Sequence, residues 1–302
     1  KATLLKNKLT LNGDFTYRSK DYTETRKATA VPYSEYEGVI TYLGTPEVDD
    51  YIKESLKLTS YMAVNTYAQY DDTFAEKHNV KALLGYNYEQ QTYKSTYFKR
   101  NGLITPDVNH LNHALGEDIT SSSGGEKWRY AGAFFRLNYG YDDRYLLEVN
   151  GRYDGSSKFP NNSQWGFFPS VSAAWRVSQE HWWKVSPDAI QNLKVRASFG
   201  ELGNSNVSPY SYLEKFSWGT SGRFLNGTAN LRTTTAPSIV PDNIGWERSR
   251  TLDVGLDADF LRGRLSVVAD YYIRKTLDMY TVGPTLPDTF GASSPKGNYA
   301  DM

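Results

Sequence analysis

Apolar and polar side chains alternate with a two-residue period along segments of about ten residues. From 129 to 141 one face receives Ala131, Phe135 and Leu137, and the other receives Arg136 and Asn138. The alternation resumes from 145 to 153 after a tight turn at 142–144, and it recurs on both sides of a turn at 261–264. Because successive side chains of a strand point to opposite faces, each pair predicts an antiparallel hairpin with one apolar side.

The pattern predicts nine strands in the chain. Their expected bounds are 9–17, 55–70, 80–89, 129–141, 145–153, 165–177, 193–200, 246–260 and 265–275. Short connections at 71–79, 142–144, 178–192 and 261–264 alternate with long ones at 18–54, 90–128 and 201–245, and 154–164 is intermediate. A soluble sheet could show the same side-chain alternation, but short turns at one end and long loops at the other are typical of outer-membrane barrels. We therefore predict an all-β fold, an antiparallel transmembrane β-barrel segment with long extracellular loops and short periplasmic turns.

Composition is compatible with a barrel because only alternate residues of its strands meet lipid. Hydrophobic residues make up 39% of the chain and the mean hydropathy is −0.60, so a hydropathy scan alone would not indicate a membrane protein. No run approaches the roughly 18 apolar residues of a membrane-spanning helix. The 24 tyrosines, 13 phenylalanines and 7 tryptophans exceed what a core requires, and several lie near predicted strand ends. Tyr139, Tyr145 and Trp165 are examples, and such clustering is typical of aromatic girdles at the membrane surface.

Charge and reactive side chains indicate neither nucleic-acid binding nor catalysis. The 34 basic and 34 acidic residues balance, and there is no cysteine. His110 and His113 with Asp107 could be drawn as a metal site followed by Glu117 and Asp118, but the glycines and proline around them predict an irregular loop. We expect no cofactor; calcium could bind acidic loops, although no ordered calcium-loop motif is present.

Both ends of the sequence indicate a piece of a larger barrel. The start has no signal-peptide pattern and leads to a strand within ten residues, while the end falls in a predicted loop. Nine strands would leave two open edges, which lipid does not tolerate. We expect residues 1–302 to be a partial barrel domain, with a plug domain and C-terminal strands outside the chain.

Several ordered motifs resemble the SusC/RagA family of TonB-dependent outer-membrane transporters of Bacteroidetes. They are YDGSSKF at 153–159, GFFPSVSAAWR at 166–176, LKVRASFG at 193–200, DVGLD at 253–257, DYYIRKT at 270–276 and GASSP at 291–295. Within them we expect Gly155 to permit a positive φ and Pro169 to sit at a strand margin or bulge. These residues therefore indicate architecture rather than substrate.

The resemblance implies a barrel of about 22 strands in the bacterial outer membrane, plugged by an N-terminal domain and driven by the TonB complex. It also implies a SusD-like surface lipoprotein as partner and import of glycans or, in some members, peptides. An adhesin or glycan-capture module is the alternative in another class, and a passive porin is a third possibility. A plug and a TonB-contacting segment upstream would distinguish active transport from both.

Candidate contact residues lie in the long loop and on the polar face of the strands. In the loop 201–245, aromatic residues are interspersed with Ser, Thr, Asn and Gly, a mixture suited to stacking on sugars or docking on a lipoprotein. These aromatic residues are Tyr210, Tyr212, Phe216, Trp218 and Phe224. The charged residues expected to face the lumen are Arg136, Glu148, Arg152, Lys194, Arg196, Asp257 and Asp270. Trp182 and Trp183 fall in a predicted periplasmic connection, where we expect anchoring at the membrane interface.

Overall fold

A computed structural model describes residues 2–5, 8–43, 49–107, 109–117, 119–221, 231–235 and 237–302. Almost all regular structure in these residues is β-strand. The strands are β1 (Ala2–Leu4), β2 (Leu9–Ala28), β3 (Val31–Tyr36), β4 (Val39–Leu43), β5 (Tyr51–Phe74), β6 (His78–Asn101), β7 (Ile119–Tyr141), β8 (Tyr145–Ser156), β9 (Trp165–Arg176), β10 (Ile190–Asn204), β11 (Trp218–Ser221), β12 (Leu231–Thr234), β13 (Glu247–Phe260), β14 (Leu265–Leu277), β15 (Met279–Val282) and β16 (Lys296–Ala300). Short 3-10 turns occupy Leu111–His113, Val177–Gln179 and Asp288–Phe290. None of the helical turns in the described residues is long and apolar enough to cross a membrane.

One ten-stranded sheet contains the main strands in the order β1-β2-β5-β6-β7-β8-β9-β10-β13-β14. Neighbours follow one another along the chain except where the small hairpins β3–β4 and β11–β12 are inserted. The β7–β8 turn places Asp142 and Asp143 at φ values of 53° and 51°, which residues of this short polar type tolerate. The antiparallel meander is the arrangement of an outer-membrane barrel wall.

All nine predicted strands are confirmed, but the predicted extents of several were wrong. The segment predicted as 55–70 forms β5 over Tyr51–Phe74, and the segment predicted as 80–89 forms β6 over His78–Asn101. The expected long loop 18–54 instead contains the second half of β2 and the hairpin β3–β4. The added strand residues lack a clear apolar face, because a strand that continues into water has no lipid-facing side to keep apolar. Periodicity therefore detected only the part of each strand that has an apolar face.

The chain divides into two compact units, one formed by 1–14, 64–88 and 129–302 and the other by 15–63 and 89–128. In the first unit, the face of β7–β10 and β13–β14 that carries the apolar ladder is broadly exposed. Large hydrophobic side chains on it include Leu137, Leu147, Val195, Leu252 and Leu256, each about 40–50% exposed. An exposed apolar surface of this size indicates that this face contacts something other than water. Contact with lipid agrees with the strand pattern.

Glycines on the apolar face make room for aromatic rings from neighbouring strands. A Cβ on Gly151 would lie 2.5 Å from the Phe135 ring, and one on Gly155 would lie 2.7 Å from the Trp165 ring. Gly155 does not have a positive φ, so that prediction was wrong and the residue serves ring packing instead. Tyr153 stacks on Trp165 with ring centroids 5.1 Å apart.

Pro169 marks the limit of one strand ladder. The β9–β10 pairing runs from Lys194↔Arg176 to Ser170↔Gly200, and Pro169 is the next residue of β9. Proline has no N–H to donate, which explains why the pairing stops there. Phe168 follows on the opposite face from Phe167. Its side chain is only 6% exposed and packs edge-on against Trp246, so it does not belong to an exposed aromatic girdle.

In the second unit, the loop residues 102–107 and 109–117 fold back on the ends of their own strands. Gly102 N donates to Asp50 O, Arg100 Nε donates to Gly116 O, and Leu103 bridges to Ala114. Ile52 and Ala114 are fully buried in this unit. Strand extension and loop packing together give these residues a fixed structure.

Candidate functional site

The long connection between β10 and β13 presents a small hairpin. β11 and β12 pair through Trp218↔Thr234, and below them Ser217 O accepts from Thr235 N at 2.8 Å. Ser238 N donates to Lys215 O at 3.1 Å and extends the pairing toward the loop base. Phe216 lies two residues before Trp218, just outside β11.

Two of the predicted loop aromatics form an exposed surface on that hairpin. Phe216 is 67% exposed and Trp218 is 70% exposed. The guanidinium of Arg232, two residues before Thr234 on the facing strand, lies 5.2 Å from the Trp218 ring centroid. This cation-π contact places the guanidinium, with its hydrogen-bond donors, over one face of the indole. A broad ring with adjacent donors can stack on a sugar while binding its hydroxyl groups.

Tyr212 has a different environment, because it packs against a small hydrophobic cluster. The cluster consists of Phe159, Val207 and Ile244, which are 0%, 5% and 1% exposed. Tyr210 is half-buried and adopts a positive φ of 65°. Phe224 lies outside the described residues. The structure thus leaves Phe216 and Trp218 exposed and places Tyr212 in a loop core, which sequence reasoning missed because Phe159 and Ile244 are isolated apolar residues in polar segments.

Hydrogen bonds tie this loop core to β16, in the connection that follows β14. Gly245 N donates to Asn298 Oδ1 at 2.8 Å, and Asn243 Nδ2 donates to the Asn298 carbonyl at 2.9 Å. Trp246 Nε1 donates to Gln164 O at 2.9 Å, and Ser163 Oγ donates to Ile244 O at 2.6 Å. Three loops at the long-loop end of the strands are therefore fastened to one another.

Four of the seven charged residues predicted for the polar face meet in one network. Arg196 contacts Asp257 through Nε at 3.1 Å, Asp270 through Nη2 at 2.6 Å and Asp253 through Nη1 at 3.5 Å. Lys194 Nζ lies 3.3 Å from Asp257. The register places these side chains on the face opposite Leu256, and Gly255 leaves the space that Arg196 and Asp270 occupy. The network pairs two cations with three carboxylates within the sheet.

The other three predicted polar-face residues form two separate pairs. Arg136 Nε donates to Asn150 Oδ1 at 2.8 Å, and its guanidinium lies 4.0 Å from Glu148. Arg152 makes two hydrogen bonds with Asp154, at 2.8 Å and 2.9 Å. Exposed pairs of this kind contribute little to stability and leave the groups available for exchange with other partners. That this face lines a lumen stays a prediction.

A carboxylate at the short-turn end of the strands is held by three donors. Glu180 accepts from Tyr145 OH at 2.5 Å, from Trp175 Nε1 at 2.9 Å and from Arg144 Nη1 at 3.0 Å. These hydrogen bonds, the first of them from Tyr145, hold the pKa of Glu180 below its ordinary value. Trp182 is 59% exposed, and its ring centroid lies 6.3 Å from that of Trp175. This arrangement holds the connection 177–189 against two strand ends and presents tryptophan at its surface.

The histidine pair does not build a metal centre in the residues described. His110 precedes the 3-10 turn Leu111–His113, and the two imidazole rings lie edge-on with centroids 6.0 Å apart. No group of three His, Cys, Asp or Glu side chains that could hold a metal occurs in the described part of the chain. Asp118 lies outside that part.

Comparisons with known proteins give one consistent result. A family model described as TonB dependent receptor-like, beta-barrel, matches residues 2–301. TonB-dependent receptor P3 of Formosa agariphila is 33% identical over 237 residues, which are 78% of this chain and 23% of that protein. TonB-dependent receptor SusC of Bacteroides thetaiotaomicron is 33% identical over 147 residues, which are 48% of this chain and 15% of that protein.

A solved structure shows the same fold at lower sequence identity. The structure of the RagAB peptide transporter matches with a TM-score of 0.80 and 21% identity, over 97% of this chain and 31% of that chain. The chain therefore spans about a quarter of the length of the first curated relatives that it matches, 23% for TonB-dependent receptor P3.

Proposed function

Because the chain belongs to the TonB-dependent receptor β-barrel family, of the SusC/RagA type, we propose that it forms part of the wall of an importer of oligosaccharides. It is an outer-membrane β-barrel segment. In the proposed assembly, a plug domain outside the chain closes the lumen, the TonB complex supplies energy, and a SusD-like lipoprotein covers the extracellular mouth. The remaining strands of the barrel also lie outside the chain.

The observation that carries the choice of sugar is the exposed aromatic surface of the β11–β12 hairpin. Phe216 and Trp218 project from the long-loop end, where an external ligand would first arrive. Trp218 with Arg232 offers a ring and hydrogen-bond donors. Sugar rings present apolar C–H faces and polar edges, so this combination is suited to them, and Phe216 enlarges the apolar contact.

The polar face supports a water-filled path. Its charged groups are paired within the sheet, as Arg196 with Asp257 and Arg152 with Asp154, so the wall carries few uncompensated charges. A lumen lined in this way can pass a hydroxyl-rich solute without binding it tightly. The expected lumen-facing positions are therefore proposed to shape the passage and contact the plug.

Uptake in cells tests the proposal. A strain deleted for the full-length gene is complemented with wild-type protein, with the Phe216→Ser/Trp218→Ser double variant, or with Phe290→Ser as a matched control, since Phe290 is 57% exposed in another loop. We expect accumulation of labelled oligosaccharides with wild type and the control, and a substantial loss with the double variant. Accumulation must stop when the proton-motive force is collapsed.

The alternatives predict other results. A passive porin would continue to equilibrate sugars without the proton-motive force, and an adhesin would bind sugars at the surface without accumulating them. Accumulation of labelled oligopeptides in place of oligosaccharides would refute the substrate class and retain the transport mechanism. Purification of the tagged full-length protein is expected to bring down a surface lipoprotein in equal amount; its absence would contradict the proposed partner.

A further inference from the structure

The second unit, formed by 15–63 and 89–128, carries a ladder of cations placed on tyrosine rings. Lys53 Nζ lies 4.3 Å from the Tyr97 ring centroid, and Lys57 Nζ lies 5.3 Å from that of Tyr22. Lys99 is placed 4.3 Å from the Tyr51 ring in the same way. The residues of β5 and β6 in this ladder all have odd numbers, so within each strand they share a face.

A cleft of about 270 Å³ opens on this face. Its lining includes Lys53, Lys57, Ser55, Tyr93, Ser95 and Tyr97. Hydroxyl groups are therefore abundant in it, and one of the residues that carry them, Ser55, is only 7% exposed. None of the described residues that line the cleft is Leu, Ile, Val or Met.

The charge of the cleft is positive. Arg26 and Glu24, which also line it, form an ion pair with each other and cancel. Neither Lys53 nor Lys57 forms an ion pair with a carboxylate among the residues that the structure describes. Two ammonium groups therefore remain uncompensated beside hydroxyl donors, and such a surface attracts anions.

The two lysines lean in opposite directions. Lys53 lies over a ring of β6 and Lys57 over a ring of β2, and their Cα atoms are four residues apart on β5, which is about 13 Å along an extended strand. They are thus placed to contact two separate acidic groups rather than to clamp one. A ligand that repeats its negative charge along a chain fits this spacing.

We propose that this cleft binds an acidic oligosaccharide through at least two of its uronate or sulfate groups. The proposal rests on the proposed function and narrows its substrate class. Hydroxyl-rich lining favours a sugar over a peptide, because apolar peptide side chains would find no aliphatic surface in the cleft. The cleft lies at the far end of β5 and β6 from their short turn at 75–77, which is the side of the long loops where a ligand arrives.

Calorimetric titration of the purified full-length protein in detergent tests the proposal. The probes are tetragalacturonate, a sulfated carrageenan tetrasaccharide, monomeric galacturonate, neutral maltotetraose and tetraglutamate. The variants are Lys53→Gln/Lys57→Gln, the charge-retaining Lys53→Arg/Lys57→Arg, and Lys94→Gln as the matched control. Lys94 is an exposed lysine of β6 between Tyr93 and Ser95, and it points to the opposite face.

We expect wild type to bind at least one acidic tetrasaccharide, with affinity that falls as salt rises. The glutamine double variant should weaken this binding at least tenfold, equivalent to about 1.4 kcal/mol, whereas the arginine variant and Lys94→Gln should not. Monomeric galacturonate and maltotetraose should bind far more weakly than the acidic tetrasaccharide. Stronger binding by the tetramer than by the monomer supports the two-point contact.

Three results would overturn the inference. They are no binding of either acidic tetrasaccharide to wild type, unchanged affinity in the glutamine variant, and binding of tetraglutamate as tight as that of the sugars. The uptake assay distinguishes failure of this inference from failure of the proposed function. Energy-dependent accumulation of neutral sugars, with unchanged affinity in the glutamine variant, would refute the acidic ligand and keep the importer. Lysine-dependent binding without any accumulation would keep the cleft and refute import.

Discussion

Tyr271 and Tyr272 are the same residue type at nearly the same height along the strand, but they lie on opposite faces of the sheet. They therefore allow the two faces to be compared. They are adjacent in β14 and are 71% and 62% exposed. Tyr271 pairs with Val254 on the apolar face, and Tyr272 pairs with Asp253 on the face of the Arg196 network. Replacing each in turn with arginine therefore changes only the face that receives the charge.

The expected difference follows from the depth of these residues. Tyr271 lies six residues after Leu265, the first residue beyond the short turn, which is about 20 Å along the strand. With a strand tilt of about 40°, the height is about 15 Å, close to the middle of an apolar band roughly 25 Å tall. Arginine at that depth costs about 2–4 kcal/mol when it faces lipid. On the other face, in water and near Asp253, we expect a cost below about 1 kcal/mol.

Assembly in the outer membrane is the assay. The fraction of full-length protein that migrates as a heat-modifiable barrel is compared for wild type, Tyr271→Arg and Tyr272→Arg. A cost of about 2–4 kcal/mol corresponds to roughly 30- to 1,000-fold in the equilibrium between inserted and unassembled chain, so Tyr271→Arg should be strongly depleted. Equal yields of the two variants, or a greater loss with Tyr272→Arg, would refute the assignment of faces.

Other predictions concern the loops and the short-turn end. Phe159→Ala should reduce the stability of the loop core by about 3–5 kcal/mol, because Phe159 is fully buried. Limited proteolysis should then cut the segment 201–245 faster. Phe216→Ala, at an exposed position, should not change the cutting rate. Asn298→Ala should raise cutting in the same loops by removing its bonds to Gly245; an unchanged digestion pattern would count against that link. Because the folded-state pKa of Glu180 is lowered, its stabilising effect is present above the unfolded pKa and is lost as pH falls through the lower folded value. Glu180→Gln should therefore lower the thermal midpoint at neutral pH and reduce its fall below about pH 4; a parallel shift at all pH values would contradict this.

The sequence was informative where one strand face meets lipid. The strands β8, β9, β13 and β14 were predicted to within three residues at each end, because lipid requires an apolar residue at every second position. The first four residues of β5 and the second half of β6 were missed, since Lys53 and Tyr97 belong to a segment in which neither face is a continuous apolar row. Strand pairing there depends on partners distant in sequence, which periodicity does not reveal.

The same physical difference explains why the candidate site was only partly predictable. Trp218 stands out in the sequence as a large ring in a polar loop, and the structure leaves it exposed. Tyr212 has the same local sequence character but packs on Phe159 and Ile244, which come from other loops. Lys53 and Lys57 gave no signal at all, because their importance comes from the absence of a carboxylate partner in the described structure and from tyrosines on two neighbouring strands. Ligand chemistry in such a barrel is therefore set by how the strand extensions and loops meet beyond the membrane, where the alternation that identifies the barrel carries no information.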